Sequence, residues 1–572
     1  MRILFSALHL AYFRNFESAI REMAARGHQV HLAADEPERF GGQGLADRLA
    51  AEYPGVSSGF LPSLEEEPWH LAASSLRVSL DYVRVLAPGY PSKLRLRAAA
   101  RTARAVRWAA DLPVAGRPLT FRALKAIERL MPPSQLLIDY LRREAPDVVV
   151  LASLTYSRSQ QLDLLKAARA LGIPVAAAIM SWDHLSSKAL LHIAPDMMLV
   201  WNDVQRREAI EMHGIPADRV AVTGAQCYDQ WFGRRPARTR EAFCAAMGLR
   251  ADRPFVLWVH SALSPTPQPP EPVLVDRWLT ALRASGDARL RELGVLVRPH
   301  PERVKEWAGI DLSRFDNVAF NGRNPIDAAA KDDYFDALYY SSAVIGLVTS
   351  AFLEAAVVGR PVLTFTLPEY RMHQEEMVHF QYLTGVGGGL LHVASDVEGN
   401  LHQLAGVIAV DGAREERNER FLHAFVRPAG LDRPATPAFV DALERLHREV
   451  PRGATRALAP ESLVRLTARV AAGVGRTEAG RWLLNDARDD HVDEHRTHLE
   501  RARRLKDEKK RAHQEAKLRR RARRQRRDAL KRRGKEVKHW LRHVRHRAVV
   551  AIYRAMVLAR LSRPSLPGQE DK

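Results

Sequence analysis

The sequence has few cysteines and no long apolar run, and each shortage excludes a class of protein. Its 572 residues include two cysteines, Cys227 and Cys244, too few for a disulfide framework or a zinc ribbon, which fits a reducing compartment. No stretch approaches the roughly 18 uninterrupted apolar residues that span a bilayer, so we expect any membrane contact to be peripheral. The apolar start, MRILFSALHLAYF, contains His9 and lacks a small-residue cleavage site, which indicates a first strand rather than a signal peptide.

The body of the chain also lacks net charge. The whole protein carries a formal charge of +20, and residues 501–572 alone hold 27 Lys and Arg against 7 Asp and Glu. The excess therefore belongs to a tail that includes KLRRRARRQRRDALKRR at residues 517–533. It does not mark the body as a binder of polyanions.

From about residue 535 to 561, the tail pattern predicts a basic amphipathic helix. Val537, Leu541 and Val544 recur at steps of three and four, the spacing of one helix face. An anionic membrane would use both the charge and the apolar stripe, whereas nucleic acid would use the charge alone. The alternative is that the stripe docks on the protein's own body or pairs with another chain.

Short apolar runs alternate with helical stretches along the body, which is typical of an α/β protein. The opening reads RILFSAL, FESAIREMAARG and QVHLAA, a strand, a helix and a strand. A first series of such runs ends at VAVTG, and a second extends from PFVLWVH to PVLTF. Near-continuous apolar strands between helices indicate parallel sheets covered on both faces. We therefore predict two doubly wound, Rossmann-like domains with a cleft between them.

The predicted organisation has five parts. They are an N-terminal domain at 1–240, a basic helical insertion within it at about 76–143, a C-terminal domain at 250–430, closing and linking helices at 431–500, and the basic helical tail at 501–572. The insertion either packs on the first domain or contacts a membrane surface, and we favour packing.

The stretch SSAVIGLVTSAFLEAAVVGRPVLTF, residues 341–365, predicts a turn that holds an anion. A buried strand ends at Val348, Thr349 and Ser350 form the turn, and a helix begins with Glu354 in its first turn. Backbone N–H groups at a helix start favour an anionic group such as a phosphate, and Glu354 could accept the two hydroxyls of a ribose. The alternative is that Ser350 caps the helix and Glu354 completes the capping interaction.

A second stretch, GVLVRPHPERV at residues 294–304, places a cation and an imidazole at the carboxyl end of the same sheet. Arg298 and His300 come as the strand ends, and two prolines fix the backbone around His300. Ligands of open α/β folds bind at this edge. The second stretch therefore favours the anion-binding interpretation of the first.

These motifs resemble the C-terminal nucleotide-binding domain of the GT-B glycosyltransferase superfamily. The residues that carry the resemblance are a strand with RPHP and, further along the chain, a strand, a Ser/Thr turn and LEAAVVGRPVL. Within the superfamily, the chain is most similar to the group with CDP-glycerol glycerophosphotransferases and bacterial capsule sialyltransferases. The resemblance covers about residues 1–430. It implies that His300 contacts the nucleotide's phosphate, that Thr349 and Ser350 line the phosphate turn, and that Glu354 holds the ribose.

The resemblance leaves the donor open between a UDP-sugar, a CMP-sugar and a CDP-polyol. We therefore predict a transferase that moves a sugar or polyol phosphate from this nucleotide-activated donor to a cell-envelope glycan or a lipid-linked acceptor, without a cofactor. The basic tail predicts that it acts at the cytoplasmic face of the membrane. The other hypothesis is a catalytically inactive protein of the same fold. It would bind an acidic polymer, a membrane or nucleic acid through its basic tail.

The first domain should supply the acceptor side of the cleft and a catalytic base. His9 follows the first strand, where some GT-B enzymes place a catalytic histidine, and a hydroxyl is deprotonated by a group with a pKa near neutral. The loop SWDHLSSK, residues 181–188, carries Asp183 and His184, a pair that could orient an acceptor or act as the base. A packed histidine and an Asx turn are the structural alternatives, and Trp182 could stack on a sugar or fill the core.

One motif suggests a metal site. HVDEH, residues 491–495, matches the H-x-x-E-H string of some metalloproteases. It lies in a run of charges without an apolar pattern or an obvious third ligand, so we predict a solvated helix here and no metal.

Overall fold

The computed structural model has two compact units, Met1–Arg488 and Asp489–Lys572. It describes residues 1–36, 41–91, 94–95, 98–99, 102–112, 116–152, 154–156, 159–263, 268–322, 325, 327–409, 416–450, 453, 459–477, 479–480, 484, 538–552 and 554–556. The HVDEH motif and the basic run at 517–533 lie outside the described residues.

The first sheet has seven strands, all paired in parallel, in the order β3-β2-β1-β4-β5-β6-β7. They are β1 Arg2–Ala7, β2 Gln29–Ala34, β3 Val56–Phe60, β4 Val148–Leu151, β5 Val175–Ala178, β6 Met197–Val200 and β7 Val220–Val222. The strand predicted at the N-terminus is β1, and the helix after it, Glu17–Ala25, ends before Gly27 at φ +81°. The alternation therefore produced the predicted doubly wound domain.

The second sheet has six parallel strands in the order β10-β9-β8-β11-β12-β13. They are β8 Phe255–Val259, β9 Gly294–Arg298, β10 Val318–Phe320, β11 Val344–Ile345, β12 Val362–Phe365 and β13 Leu391–Ala394. Strand order reverses between β1 and β4 in the first sheet and between β8 and β11 in the second. The predicted fold class, two Rossmann-like domains, is confirmed.

Helices connect the strands and cover both sheets. The α-helices are Glu17–Ala25, Gly42–Glu52, His70–Val85, Arg104–Ala110, Gly116–Leu130, Gln135–Glu144, Gln161–Ala170, His184–Ser187, Asp203–Glu211, Asp229–Phe232, Arg240–Met247, Glu271–Arg283, Ala288–Arg291, Ala328–Tyr340, Ala351–Val357, Val378–Gly385, Val397–Ala409, Glu416–Phe425, Ala435–Glu449 and Glu461–Arg476. The 3-10 helices are Leu10–Phe16, Ala217–Arg219, Gln226–Tyr228, Pro301–Trp307, Pro368–His373 and Val386–Gly388.

Each sheet has an apolar core on both faces, because successive residues of a strand point to opposite sides. In β1, Ile3 and Phe5 face one core, which includes Leu443 of the helix Ala435–Glu449, and Leu4 faces the other. The chain therefore returns to the first domain after it completes the second sheet. Asp229 holds this return, since Arg427 Nη2 donates to its carboxylate at 2.6 Å and the backbone N–H of Thr436 donates at 2.7 Å.

The helical insertion packs on the first domain through a buried cluster of charges. Arg77 Nη1 and Nη2 donate to the two carboxylate oxygens of Asp163 at 2.7 and 2.6 Å. Arg77 also pairs with Glu128 at 3.3 Å, and Lys166 donates to Glu128 at 2.6 Å. All four side chains are at most 3% exposed. Two cations and two carboxylates thus balance where the insertion meets the helix Gln161–Ala170.

In the second unit, residues 538–552 and 554–556 are helical, and every one of them is exposed. Trp540, Leu541, Val544 and Ile552 are between 43% and 62% exposed. Among the residues that the structure describes, no helix is both long enough and apolar enough to cross a membrane.

Candidate functional site

A cleft of about 470 Å³ lies between the two domains, at the carboxyl ends of both sheets. On one side, residues from the loops after β1, β4 and β5 line it, and on the other, residues from the loops after β8, β9 and β11. Each sheet reverses its strand order between strands whose loops contribute here. The cleft therefore lies at the switch point of both sheets, where open α/β folds bind ligands.

All five residues predicted to bind a nucleotide line this cleft. They are Arg298, His300, Thr349, Ser350 and Glu354. Two stretches that are far apart in the sequence thus meet at one place, as the strand ends predicted. Their roles toward a nucleotide remain predictions.

In the turn after β11, Ser350 and Glu354 do not form the capping interaction that was the alternative to anion binding. Ser350 makes no capping hydrogen bond, although it sits at the cap position of the helix Ala351–Val357. The Tyr334 hydroxyl donates to the Glu354 carboxylate instead. The Thr349 hydroxyl accepts from the backbone N–H of Ala351 at 3.3 Å. The helix has seven residues, so its dipole is short, and side-chain cations have to provide most of the attraction for an anion.

Arg298, Tyr334 and Glu354 form a connected group on the second-domain wall. The Arg298 guanidinium lies over the Tyr334 ring, 4.5 Å from its centroid, and Tyr334 is bonded to Glu354. Burial raises the pKa of Glu354 to about 7, against the opposing effects of Tyr334, Arg14 and Arg298. Glu354 therefore changes its charge near neutral pH.

Among the described residues, three cations line the cleft: Arg14 from the first domain, and Arg298 and Lys331 from the second. Lys331 Nζ pairs across the domains with Glu17 at 2.6 Å. The carboxylates that line the cleft in the described part of the chain are Glu302 and Glu354. A Glu354 that is partly protonated adds less than one full negative charge. The wall is therefore suited to an anionic group of phosphate size.

His260 supports the loop that carries His300. It follows β8 directly, and its Nδ1 accepts from the backbone N–H of His300 at 3.4 Å. This contact leaves the proton on Nε2, which lies 3.7 Å from Glu271 and 3.9 Å from Glu306. His260 thus links the end of β8 to the end of β9.

Of the three first-domain residues predicted to be catalytic, one lines the cleft and two do not. His184 lines the cleft, and burial lowers its pKa to about 4, so its imidazole is neutral at pH 7. His9 and Asp183 are not among the lining residues. His9 Nε2 lies 3.6 Å from Glu36, and its ring packs edge-on against Tyr12, which does line the cleft.

Asp183 holds its own loop together. The hydroxyls of Ser181 and Ser187 donate to its carboxylate at 2.6 and 2.9 Å. Burial acts to raise the pKa of Asp183, but the charge of Lys188 and the His184 imidazole hold it below the usual range. Asp183 therefore stabilises its own loop, as the structural alternative proposed, through hydrogen bonds from two serine hydroxyls. Trp182 likewise fills the core, where it packs edge-on against His379 with ring centroids 5.0 Å apart.

Sequence reasoning missed Arg14, Lys331, Tyr334 and His260. His260 carried a usable signal, because it ends PFVLWVH at the same strand edge as Arg298. Arg14, Lys331 and Tyr334 lie on helices without a motif, and only the tertiary fold brings them to the cleft. Within the described part of the chain, no group of three or more His, Cys, Asp or Glu is placed to hold a metal ion.

Comparisons with known proteins find similarity in architecture. No family model matches the chain, and no curated protein matches it. The UDP-GlcNAc 2-epimerase from Neisseria meningitidis is 13% identical with a TM-score of 0.47 over 78% of this chain and 100% of that chain. A glycosyltransferase from Rickettsia africae is 12% identical with a TM-score of 0.46, over 78% and 99%. WaaG, a glycosyltransferase involved in lipopolysaccharide biosynthesis, is 13% identical with a TM-score of 0.40, over 78% and 99%.

Values this low carry no argument about activity. The class of fold rests on this chain's own strand orders: two Rossmann-like domains that face one cleft, which is the GT-B architecture. The nearer likeness to CDP-glycerol glycerophosphotransferases and capsule sialyltransferases stays a prediction.

Proposed function

We propose that this protein is a GT-B transferase that moves a sugar or polyol phosphate from a nucleotide-activated donor to a cell-envelope glycan or a lipid-linked acceptor. The observation that carries the proposal is the cleft at both switch points, where Arg14, Arg298 and Lys331 stand beside Glu354. Cations for a diphosphate and a carboxylate for ribose hydroxyls are what a nucleotide donor requires.

The second domain holds the donor in this proposal. Arg298 contacts the phosphates from the end of β9. His300 lies two residues further along the chain, after Pro299. Tyr334 bridges Arg298 and Glu354, so the same group that holds the phosphate also orients the carboxylate. An ionised Glu354 accepts the ribose hydroxyls.

The first domain holds the acceptor. His184 borders the cleft with a neutral imidazole that can hydrogen-bond an acceptor hydroxyl, although its lowered pKa makes it a weak base. His9 has a carboxylate partner in Glu36, the arrangement that orients a base. Of the two imidazoles, His184 is the one with direct access to the cleft.

The test is turnover of a donor panel by the purified full-length chain. UDP-sugars, CMP-sugars and CDP-polyols are each incubated with a membrane extract as the acceptor source, and release of the nucleotide is measured. We expect one donor class to be consumed, and we expect His300→Ala and Glu354→Ala to reduce its turnover at least about tenfold. Glu416→Ala, an exposed carboxylate on the helix Glu416–Phe425, is the matched control. Activity on no donor, or activity that both site variants retain in full, would sink the proposal.

The donor KM should depend on pH through Glu354. The pKa of this carboxyl is raised to about 7, so the carboxylate that accepts ribose hydroxyls is present above this pH and is lost as the pH falls through it. We expect the KM for the donor to increase below pH 7 and to approach about tenfold per pH unit. Glu354→Gln should have a higher KM at pH 8 and should flatten this profile. If the donor KM of Glu354→Gln depends on pH as the wild-type KM does, a group other than Glu354 causes the pH dependence.

We propose further that the tail holds the enzyme on the cytoplasmic face of an anionic membrane. The helix at 538–552 exposes Leu541, Val544 and Ile552, and Lys538, Arg542 and Arg545 lie on its other faces. An apolar stripe flanked by cations is the pattern of a helix that lies in a lipid interface.

Vesicle binding tests the tail. The full-length protein should sediment with phosphatidylcholine vesicles that contain phosphatidylglycerol and remain in solution with phosphatidylcholine alone. Leu541→Asp and Ile552→Asp should each weaken binding about tenfold, because each removes an apolar side chain that enters the lipid interface when the helix binds. His546→Asp adds the same charge on the opposite face and is the control. Equal loss in all three variants, or steeply salt-dependent DNA binding without a preference for anionic vesicles, would contradict membrane docking and favour nucleic acid.

A further inference from the structure

Four aromatic rings form a row at the first-domain side of the cleft, and three of them line it. The four are His9, Tyr12, Tyr156 and His184. The ring centroids of His9 and Tyr12 are 5.6 Å apart, those of Tyr12 and Tyr156 are 6.2 Å apart, and those of Tyr156 and His184 are 5.7 Å apart. The two tyrosines are in the middle, and each has an imidazole edge-on at its outer side.

The fold brings these rings together from three separate loops. Tyr12 lies on the 3-10 helix Leu10–Phe16 after β1, Tyr156 follows β4, and His184 follows β5. The strands β1 and β4 flank the switch point of the first sheet. Tyr12 and Tyr156 both line the cleft, both are half-buried, and their side chains are hydrogen-bonded to each other.

Charged groups of both signs border this row of rings. Lys188 Nζ lies 5.7 Å from the centroid of Tyr156. At the other end of the row, Glu36 lies beside His9, and the charges of Arg14, Glu302 and Glu36 all act on the Tyr12 hydroxyl. Because cations and carboxylates both border the row, its charges do not favour an anionic acceptor, and its aromatic rings are its distinguishing feature.

A sugar ring matches this surface. A pyranose has an apolar face of C–H groups and a rim of hydroxyls, and tyrosine offers an apolar ring with a polar hydroxyl at its tip. Ligand sites of this kind combine aromatic walls with a few placed polar groups, and here the imidazole of His184 is next to Tyr156.

We propose that Tyr12 and Tyr156 form the acceptor subsite and that it takes a sugar ring, the terminal unit of a glycan. This inference rests on the proposed transferase function and narrows it, because it selects a carbohydrate acceptor over a phosphate-terminated one. The sugar ring lies on the two tyrosines, with the hydroxyl that reacts directed toward the donor phosphates.

The experiment measures glycan and nucleotide binding separately on the full-length protein. Labelled protein is applied to an array of oligosaccharides that includes bacterial surface glycans. Calorimetry with UDP, CDP and CMP is run on the same samples. The variants are Tyr12→Leu, Tyr156→Leu and the pair together, and Tyr12→Phe and Tyr156→Phe keep the rings while removing the hydroxyls. Tyr53→Leu is the control, because Tyr53 lies at the amino end of β3, away from the cleft.

We expect the wild-type protein to retain a set of related glycans and the double Leu variant to lose at least about tenfold of that signal. The Phe variants should fall between the two, and Tyr53→Leu should match the wild type. Nucleotide binding should stay within about twofold in every variant, which also shows that the variants are folded. Nucleotide binding without glycan binding, or glycan binding that the double variant keeps, overturns the subsite. If the wild-type protein binds no nucleotide, the proposed transferase function itself is overturned.

Discussion

Replacing Arg298 with Met should weaken binding of the nucleotide donor by about 10- to 100-fold, the loss expected when a charge-assisted hydrogen bond to phosphate is removed. Arg298 ends β9 in the cleft and lies over Tyr334, which is bonded to Glu354. The substitution removes a cation from the wall while it keeps most of the packing of the side-chain stem. Calorimetric titration with the donor or its nucleoside diphosphate measures the change.

Two further variants test whether the loss of binding depends on where the Arg298 guanidinium lies and whether it is specific to Arg298. A Cβ on Gly322 would lie 2.6 Å from Arg298 Cγ, so Gly322→Ala should displace the guanidinium and weaken binding without removing a charge. Arg277→Met removes an exposed arginine that pairs with Glu369 at 3.2 Å, and it should leave binding unchanged. If Arg298→Met binds the nucleotide as tightly as the wild type does, the phosphates are held elsewhere.

Replacing Arg77 with Met should destabilise the first domain by about 3–5 kcal/mol, because it leaves Asp163 and Glu128 in the interior with Lys166 alone to balance them. In the intact cluster, burial acts to raise the pKa of Glu128, but Arg77 and Lys166 hold it at about 2. Glu128 is therefore ionised at neutral pH, and the cation is needed. Urea unfolding followed by circular dichroism measures the loss.

The matched control is Arg142→Met. Arg142 pairs with Asp139 at 3.0 Å, and the two side chains are 60% and 50% exposed. Exposed pairs of this kind contribute at most about 1 kcal/mol, so the free energy of unfolding should change little. A loss from Arg77→Met that is no larger than the loss from Arg142→Met would mean that the insertion does not dock through a buried cluster.

The strands were predictable wherever they are buried on both faces. VVVL in β4 and FVLWV in β8 are continuous apolar runs between helices, which is the pattern of a central parallel strand. The strands β3 and β13 were missed. Both lie at sheet edges, and VSSGF in β3 contains two serines and a glycine, so its sequence carries little apolar signal.

The site was predictable to the extent that it lies on strand ends. Arg298 ends a buried strand, His300 and Thr349 follow buried strands, and the fold places such strand ends at one edge of the sheet. Tyr334 and Lys331 lie on the helix Ala328–Tyr340, and they reach the cleft because that helix packs on one face of the second sheet. No local pattern marks a helix residue as part of a cleft, so this half of the site required the structure.

The same limit explains the first-domain predictions. His9, Asp183 and His184 all follow strands of the first sheet, yet only His184 lines the cleft. Strand position predicts the edge at which a residue lies, whereas the hydroxyls of Ser181 and Ser187 decide that the carboxylate of Asp183 serves its own loop.

The central claim, that this cleft is the nucleotide donor site, is tested most directly by a crystal structure of the full chain with a bound nucleoside diphosphate. We expect the phosphates to lie within hydrogen-bond distance of Arg298 and the ribose hydroxyls to be bound by the carboxylate of Glu354. A nucleotide seated away from both residues, or a protein that binds none of UDP, CDP and CMP, would contradict it.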